Sequence, residues 1–187
     1  MVHEHILPEI KWVPTQNKDP RHGAKIRRIV LHTWGVHFTS EKAEAISYEG
    51  VIRQFKIRAS QTSAHFVYPG SAVPNEITQM VDYAHYAWTE EAYNATSVEI
   101  ECADAIWLGL DPKGFEQLAH IVGFLLHHFG LNPVWDIHHG FCRHGDLGIA
   151  GGNHPSCPTT SINRWKHFVS RTRDNYLAGG YRDEWGR

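Results

Sequence analysis

The sequence predicts one α/β domain built on a central mixed sheet with helices packed against its faces. Three observations carry this. Short runs rich in Ile, Val and Leu alternate with longer runs of helical period. Their order, βαβββαβα, implies a mixed sheet with helices on its faces. The length of 187 residues, with 42% hydrophobic and 20% charged residues, suits a single globular domain with its own core.

The elements follow in order. Residues 1–24 carry Pro8, Pro14 and Pro20 among charges and read as an irregular N-terminal arm packed on the domain. The domain itself spans 25–176. Residues 25–33 (KIRRIVLHT) form its first strand, which Trp34-Gly35 ends. Thr39 or Ser40 can cap a helix that runs to about Arg58, with Glu41 and Glu44 favourable in its first turns and Gly50 weakening its middle. Residues 63–68 are the second strand, Pro69-Gly70 a turn, and 76–83 the third strand. Residues 97–103 alternate, with Val98, Ile100 and Cys102 on one face and Ser97, Glu99 and Glu101 on the other.

The clearest helix spans 111–129. Asp111 is a good N-cap, Pro112 sits at the first helical position, and Phe115, Leu118, Val122, Leu125 and Phe129 fall on one stripe ended by Gly130. Residues 137–143 form a short strand that leads into a Gly-rich loop, 145–158. A last helix covers 161–176, with Ile162, Trp165, Phe168 and Val169 facing inward. Residues 177–187 read as a tail or linker stub.

Composition narrows the function. A net charge of -2 argues against nucleic-acid or anionic-membrane partners, which would call for a basic excess. Three cysteines do not make a disulfide framework. Residues 1–9 lack the apolar run of a signal peptide, and no stretch approaches the roughly 18 apolar residues of a membrane span. The expectation is a monomer made in the cytoplasm, without membrane insertion, that something else must release if it acts outside. Fifteen histidines raise the prior for a metal site, although most must be ordinary surface or hydrogen-bonded residues.

In α/β sheets, functional residues gather at strand ends and the loops beyond. His32 ends the first strand, His144 ends the strand at 137–143, and Cys157 lies in the following loop. Imidazole and thiolate are zinc ligands, and a catalytic site keeps three protein ligands. His138 and His139 share the strand with His144 and compete for the second position. Glu101 is a carboxylate on a central strand, costly to bury without a partner. It is either a salt-bridged residue or a general base.

At this point the chain resembles the type 2 N-acetylmuramoyl-L-alanine amidases, a group that includes phage endolysins, bacterial autolysins and peptidoglycan recognition proteins. IVLHTWG (29–35) resembles the first-ligand motif. SAHFVYPG (63–70) and ITQMV (77–81) resemble the family hairpin. AHYAW (84–88), Asn94 and SVEIE (97–101) resemble "AWHA … N … SIGIE". RHGDLG (143–148) and HPSCP (154–158) resemble "GH-x-D … CPG". The pieces keep family order across about residues 11–170, and KWVPTQNKDPRHG (11–23) resembles the segment before the first ligand in phage lysins.

The resemblance implies a zinc amidase fold like that of the peptidoglycan recognition proteins. It implies Zn2+ held by His32, His144 and Cys157, the second preferred because Asp146 follows in the "H-x-D" pattern and can brace it. Glu101 aligns with the catalytic glutamate, and His65, Trp88 and Asn94 with substrate-binding positions. The implied reaction cuts the bond between the lactyl group of N-acetylmuramic acid and L-alanine in peptidoglycan, as a phage or prophage endolysin released by a holin does. Several positions depart from the pattern. Pro155 stands where many members have a lysine donor, and His154 is the best substitute. Ala64 replaces a tyrosine, Thr89 the histidine of "AWHA", and Thr159 the glycine after "CP". A non-catalytic peptidoglycan-binding module and a cytosolic muropeptide-recycling amidase are the alternatives. Cys157 favours an enzyme over the first, and the second normally has Asp as its third ligand.

Overall fold

The computed structural model describes residues 7–35, 41–179 and 181. In chain order its elements are β1 (Glu9–Trp12), β2 (Lys18–Pro20), β3 (Arg28–Thr33), α1 (Glu41–Lys56), β4 (Phe66–Tyr68), β5 (Glu76–Gln79), β6 (His85–Ala87), β7 (Ser97–Cys102), α2 (Asp104–Leu108), α3 (Pro112–His128), β8 (Phe141–Arg143) and α4 (Ile162–Ala178). Six strands form one sheet in the order β1-β5-β4-β7-β3-β8, and β2 pairs with β6 as a separate ribbon. Within the large sheet only β4 and β5 are antiparallel, so the sheet is mixed, as the sequence predicts.

Strand alternation sorts the two faces. Ile29 and Leu31 of β3, Phe66 and Tyr68 of β4, and Val98, Ile100 and Cys102 of β7 join one apolar cluster with Phe115, Leu118, Val122 and Leu125 of α3 and Trp165 and Phe168 of α4. On the opposite face, Val67 of β4 packs with Tyr48, Ile52 and Phe55 of α1. The same face of β3 and β7 presents Val30 beside Glu99 and His32 beside Glu101. It is polar there because α1 packs on the β4 side. The segments 84–96 and 144–157 approach each other over the β3 side, between the turn Glu91–Thr96 and the turn His144–Gly151.

α3 starts as the sequence predicts: the Asp111 carboxylate accepts from the Gly114 N–H at 2.8 Å. Gly130 takes φ +64°, the left-handed stop that glycine adopts without strain. α1 continues through Gly50 and ends at Lys56. The expected caps Thr39 and Ser40, and the side chains of Glu41 and Glu44, lie outside the described residues.

Other expectations need correction. The arm is not irregular throughout: β1 is an edge strand of the main sheet, in parallel register with β5 from Glu9–Glu76 to Trp12–Gln79. The buried Asn17 amide then donates to the Phe55, Ile57 and Thr62 carbonyls, tying the arm to the end of α1. A four-residue strand whose residues are all partly or fully exposed shows no readable alternation. β6 and α2 carry no strong pattern either. The strand predicted at 76–83 stops at Gln79, and the one at 137–143 is ordered only as Phe141–Arg143. Ile162 is 45% exposed rather than inward, because it sits at the first turn of α4, before the stripe of Trp165 and Phe168 meets the core. No helix among the described residues is long and apolar enough to cross a membrane.

Candidate metal centre

His32 stands near the C-terminal end of β3, His144 follows β8 directly, and Cys157 lies in the loop beyond. Gly145 N–H donates to the Cys157 carbonyl at 2.7 Å, which folds that loop back onto the histidine. Each of the three residues offers one donor atom, and these atoms lie within 4.8 Å of one another. The two rings are 4.4 Å apart, centroid to centroid. Among the described residues this is the one group of three or more potential ligands, and neither His138 nor His139 belongs to it.

The surroundings suit a metal ligand set. His32 Nε2 lies 2.9 Å from Glu90 Oε1, and His144 Nε2 lies 2.7 Å from the Gly151 carbonyl. Proton donation at both Nε2 atoms leaves the Nδ1 lone pairs free. Burial, and then the nearby His154, pulls the His32 pKa down to about 3. Burial and His32 pull that of His144 down to about 4. Both rings are therefore neutral near pH 7, the form that binds metal. Burial, and then the Glu101 charge, pushes the Cys157 thiol up to about 12, so only a close cation would draw off its proton. Two neutral imidazoles and one such thiol fit zinc.

Glu101 pairs in register with His32 on the adjacent strand and is 8% exposed. Burial, and then Asp104, raises its carboxyl to about 8. It opens on a cavity of about 390 Å³ walled by Trp34, Val51, Gln54 and Phe55. A second cavity of about 350 Å³ is walled by Thr33, Asn153, His154 and Cys157. His154 is exposed, and its ring lies 4.5 Å from that of His144.

The remaining expected residues sit elsewhere or do other work. His65 is fully buried: Arg21 Nη2 lies 2.8 Å from its Nε2, and its Nδ1 bonds Glu99. It has no surface to offer a substrate, and it braces the polar face beneath the site. Burial and Arg21 lower its pKa to about 3. Trp88 donates from Nε1 to Asp19 at 2.8 Å and lies under the Arg58 guanidinium, 4.2 Å from the ring centre. Asn94 Oδ1 accepts from the N–H groups of Thr89 and Glu90 and so shapes the loop. Asp146 does not brace His144. It accepts from Arg143 at 2.6 Å and from Trp135 Nε1 at 2.8 Å, and the Gly151 carbonyl takes its expected place.

Sequence reasoning missed Glu90. It is fully buried, and burial followed by Glu99 pushes its carboxyl well above the usual range. Its neighbour Glu91 is exposed. Nothing local separates the two in the string "TEE". The only available signal was position, between the matched Trp88 and Asn94.

The same fold occurs in solved structures. The Staphylococcus aureus hydrolase AmiA superposes with a TM-score of 0.68 at 16% identity, covering 92% of this chain and 85% of that one. A mutant endolysin from Bacillus subtilis gives 0.62 at 17% identity, with 89% and 99% covered. The N-acetylmuramoyl-L-alanine amidase LysC from Clostridium intestinale gives 0.57 at 14%, with 88% and 97% covered. No curated protein matches by sequence. The likeness establishes an α/β fold shared with amidases and endolysins. The sequence pattern of the N-acetylmuramoyl-L-alanine amidases matches residues 22–160, and the chain belongs to that family, an amidase of peptidoglycan.

Proposed function

We propose that the chain is a zinc-dependent N-acetylmuramoyl-L-alanine amidase acting as a phage or prophage endolysin. It would hydrolyse the amide between the lactyl group of N-acetylmuramic acid and L-alanine. The observation that carries the reading is the convergence of His32, His144 and Cys157 donor atoms within 4.8 Å, with both imidazoles held neutral. Zinc bound there supplies a Lewis acid and lowers the pKa of water.

The protein's own residues do the rest. Glu101, beside His32, accepts the proton of the attacking water and returns it to the leaving amine. The His154 ring N–H, in the wall of the second cavity beside Cys157, donates to the oxyanion in place of the family lysine. The cavity along α1, walled by Trp34, Val51 and Phe55, takes the peptide side of the substrate. The protein works as a monomer. Similarity to an endolysin structure and the phage-lysin character of residues 11–23 support the endolysin role.

The test is to incubate the purified protein with bacterial cell walls, with and without chelator, and to measure new N-terminal L-alanine. Release that chelation abolishes and zinc restores is expected. No release from any wall type by zinc-loaded protein overturns the reading. For the endolysin role, cytoplasmic expression should lyse cells only when a pore-former is co-expressed, and lysis without one contradicts release by a holin.

A further inference from the structure

We propose that Glu90 is a positioning residue of this centre. It keeps the His32 proton on Nε2 and turns the Nδ1 lone pair toward the metal. The inference rests on the zinc reading above.

The argument starts from burial. His32 is 2% exposed and Glu90 fully buried, so water is not at hand to satisfy the ring. A metal on one imidazole nitrogen forces the proton to the other, and that N–H needs an acceptor. Glu90 Oε1, at 2.9 Å from Nε2, is that acceptor. His144 solves the same problem with the backbone carbonyl of Gly151, which no substitution can remove. His32 relies on a side chain.

The loop is built to hold that side chain in place. Asn94 Oδ1 accepts from the Glu90 and Thr89 N–H groups, and Tyr93 N–H donates to the Glu90 carbonyl at 3.0 Å. The far end of the turn is clamped by Arg21, whose guanidinium donates to the Ala95 carbonyl at 2.7 Å and the Ser97 carbonyl at 2.6 Å. A carboxylate buried this completely is costly unless it meets a cation or a strong donor. Here Oε1 meets the Nε2 of a ligand imidazole, and an acceptor at that nitrogen fixes which ring atom is left for the metal.

Zinc affinity is measured by chelator competition for the unsubstituted protein, Glu90→Ala and the remote surface control Glu116→Gln. Ring 15N shifts of His32 are recorded in the zinc-loaded unsubstituted protein. Removing the acceptor should weaken zinc binding about 10–100-fold. The control should bind as the unsubstituted protein does, and the His32 proton should sit on Nε2. Affinity of Glu90→Ala within about twofold of the parent, or a His32 proton on Nδ1, overturns the proposal. If Glu90→Ala does not fold, the ring measurement decides alone. If the unsubstituted protein binds no zinc, the zinc reading itself falls, an outcome distinct from parent binding with an indifferent Glu90.

Discussion

Removing His144 should abolish the thermal stabilisation that zinc confers, while removing His139 should leave it intact. Zinc held only by the folded state adds RT ln(1 + [Zn]/Kd), about 2.7 kcal/mol when zinc is 100-fold above Kd. For a chain of this length that corresponds to a rise in Tm of roughly 5–11 °C, at about 2–4 °C per kcal/mol. His144→Ala removes one of three donors and also the Nε2 bond to the Gly151 carbonyl. The variant therefore loses the zinc increment and, without metal, about 1 kcal/mol more. His139 is outside the ligand group, and its carbonyl accepts from Asn132 N–H through the backbone alone. His139→Ala should keep the full increment. The assay is thermal unfolding of the three proteins with excess zinc and with chelator. A zinc increment retained in His144→Ala, or lost in His139→Ala, refutes the assignment of the second ligand.

Three further outcomes follow from the same structure. Glu101→Gln should lower wall hydrolysis by about 10²–10⁴-fold while leaving zinc affinity near that of the parent; unchanged hydrolysis removes Glu101 from proton transfer. His65, whose pKa is lowered to about 3 by burial, stays neutral in the folded chain but takes a proton below about 6.5 when unfolded. Its contribution is therefore present above pH 6.5 and is lost as pH falls, by about 2 kcal/mol at pH 5. Denaturant midpoints of the metal-free protein at pH 7 and pH 5 should differ less for His65→Gln than for the parent, and equal pH slopes contradict this. Trp165 is fully buried against Trp107, Phe141 and Phe168, so Trp165→Ala should cost about 3–5 kcal/mol in urea unfolding; a cost below about 1 kcal/mol would mean the pocket collapses around the loss.

What the sequence disclosed depended on whether a residue's role was written into its own neighbourhood. The α3 helix carries its cap, its proline, its stripe and its stop in one continuous string, and it forms where expected. His32 and Cys157 sit inside short ordered motifs, so they were legible even though 125 positions apart. His144 competed with His138 and His139; the "H-x-D" pattern favoured it, and the fold brings it, and neither of the other two, to His32 and Cys157. Contacts made across the chain left no local trace. β1 pairs with a strand 67 positions away, and Glu90 meets His32 58 positions away. His65 aligned with a substrate-binding position, but Arg21 and Glu99, distant in sequence, enclose it. Asp146 follows His144 in the pattern expected of a brace, yet the turn of the backbone points it at Arg143.

The central claim is hydrolysis of the lactyl amide, and product labelling tests it most directly. A purified muropeptide that retains the N-acetylmuramoyl–L-alanine bond is digested by zinc-loaded protein in H₂¹⁸O, and the products are weighed by mass spectrometry. The account predicts one ¹⁸O in the lactyl carboxylate of the sugar fragment and a free L-alanine amine on an unlabelled peptide. Label in the peptide, or cleavage at any other bond, would contradict it.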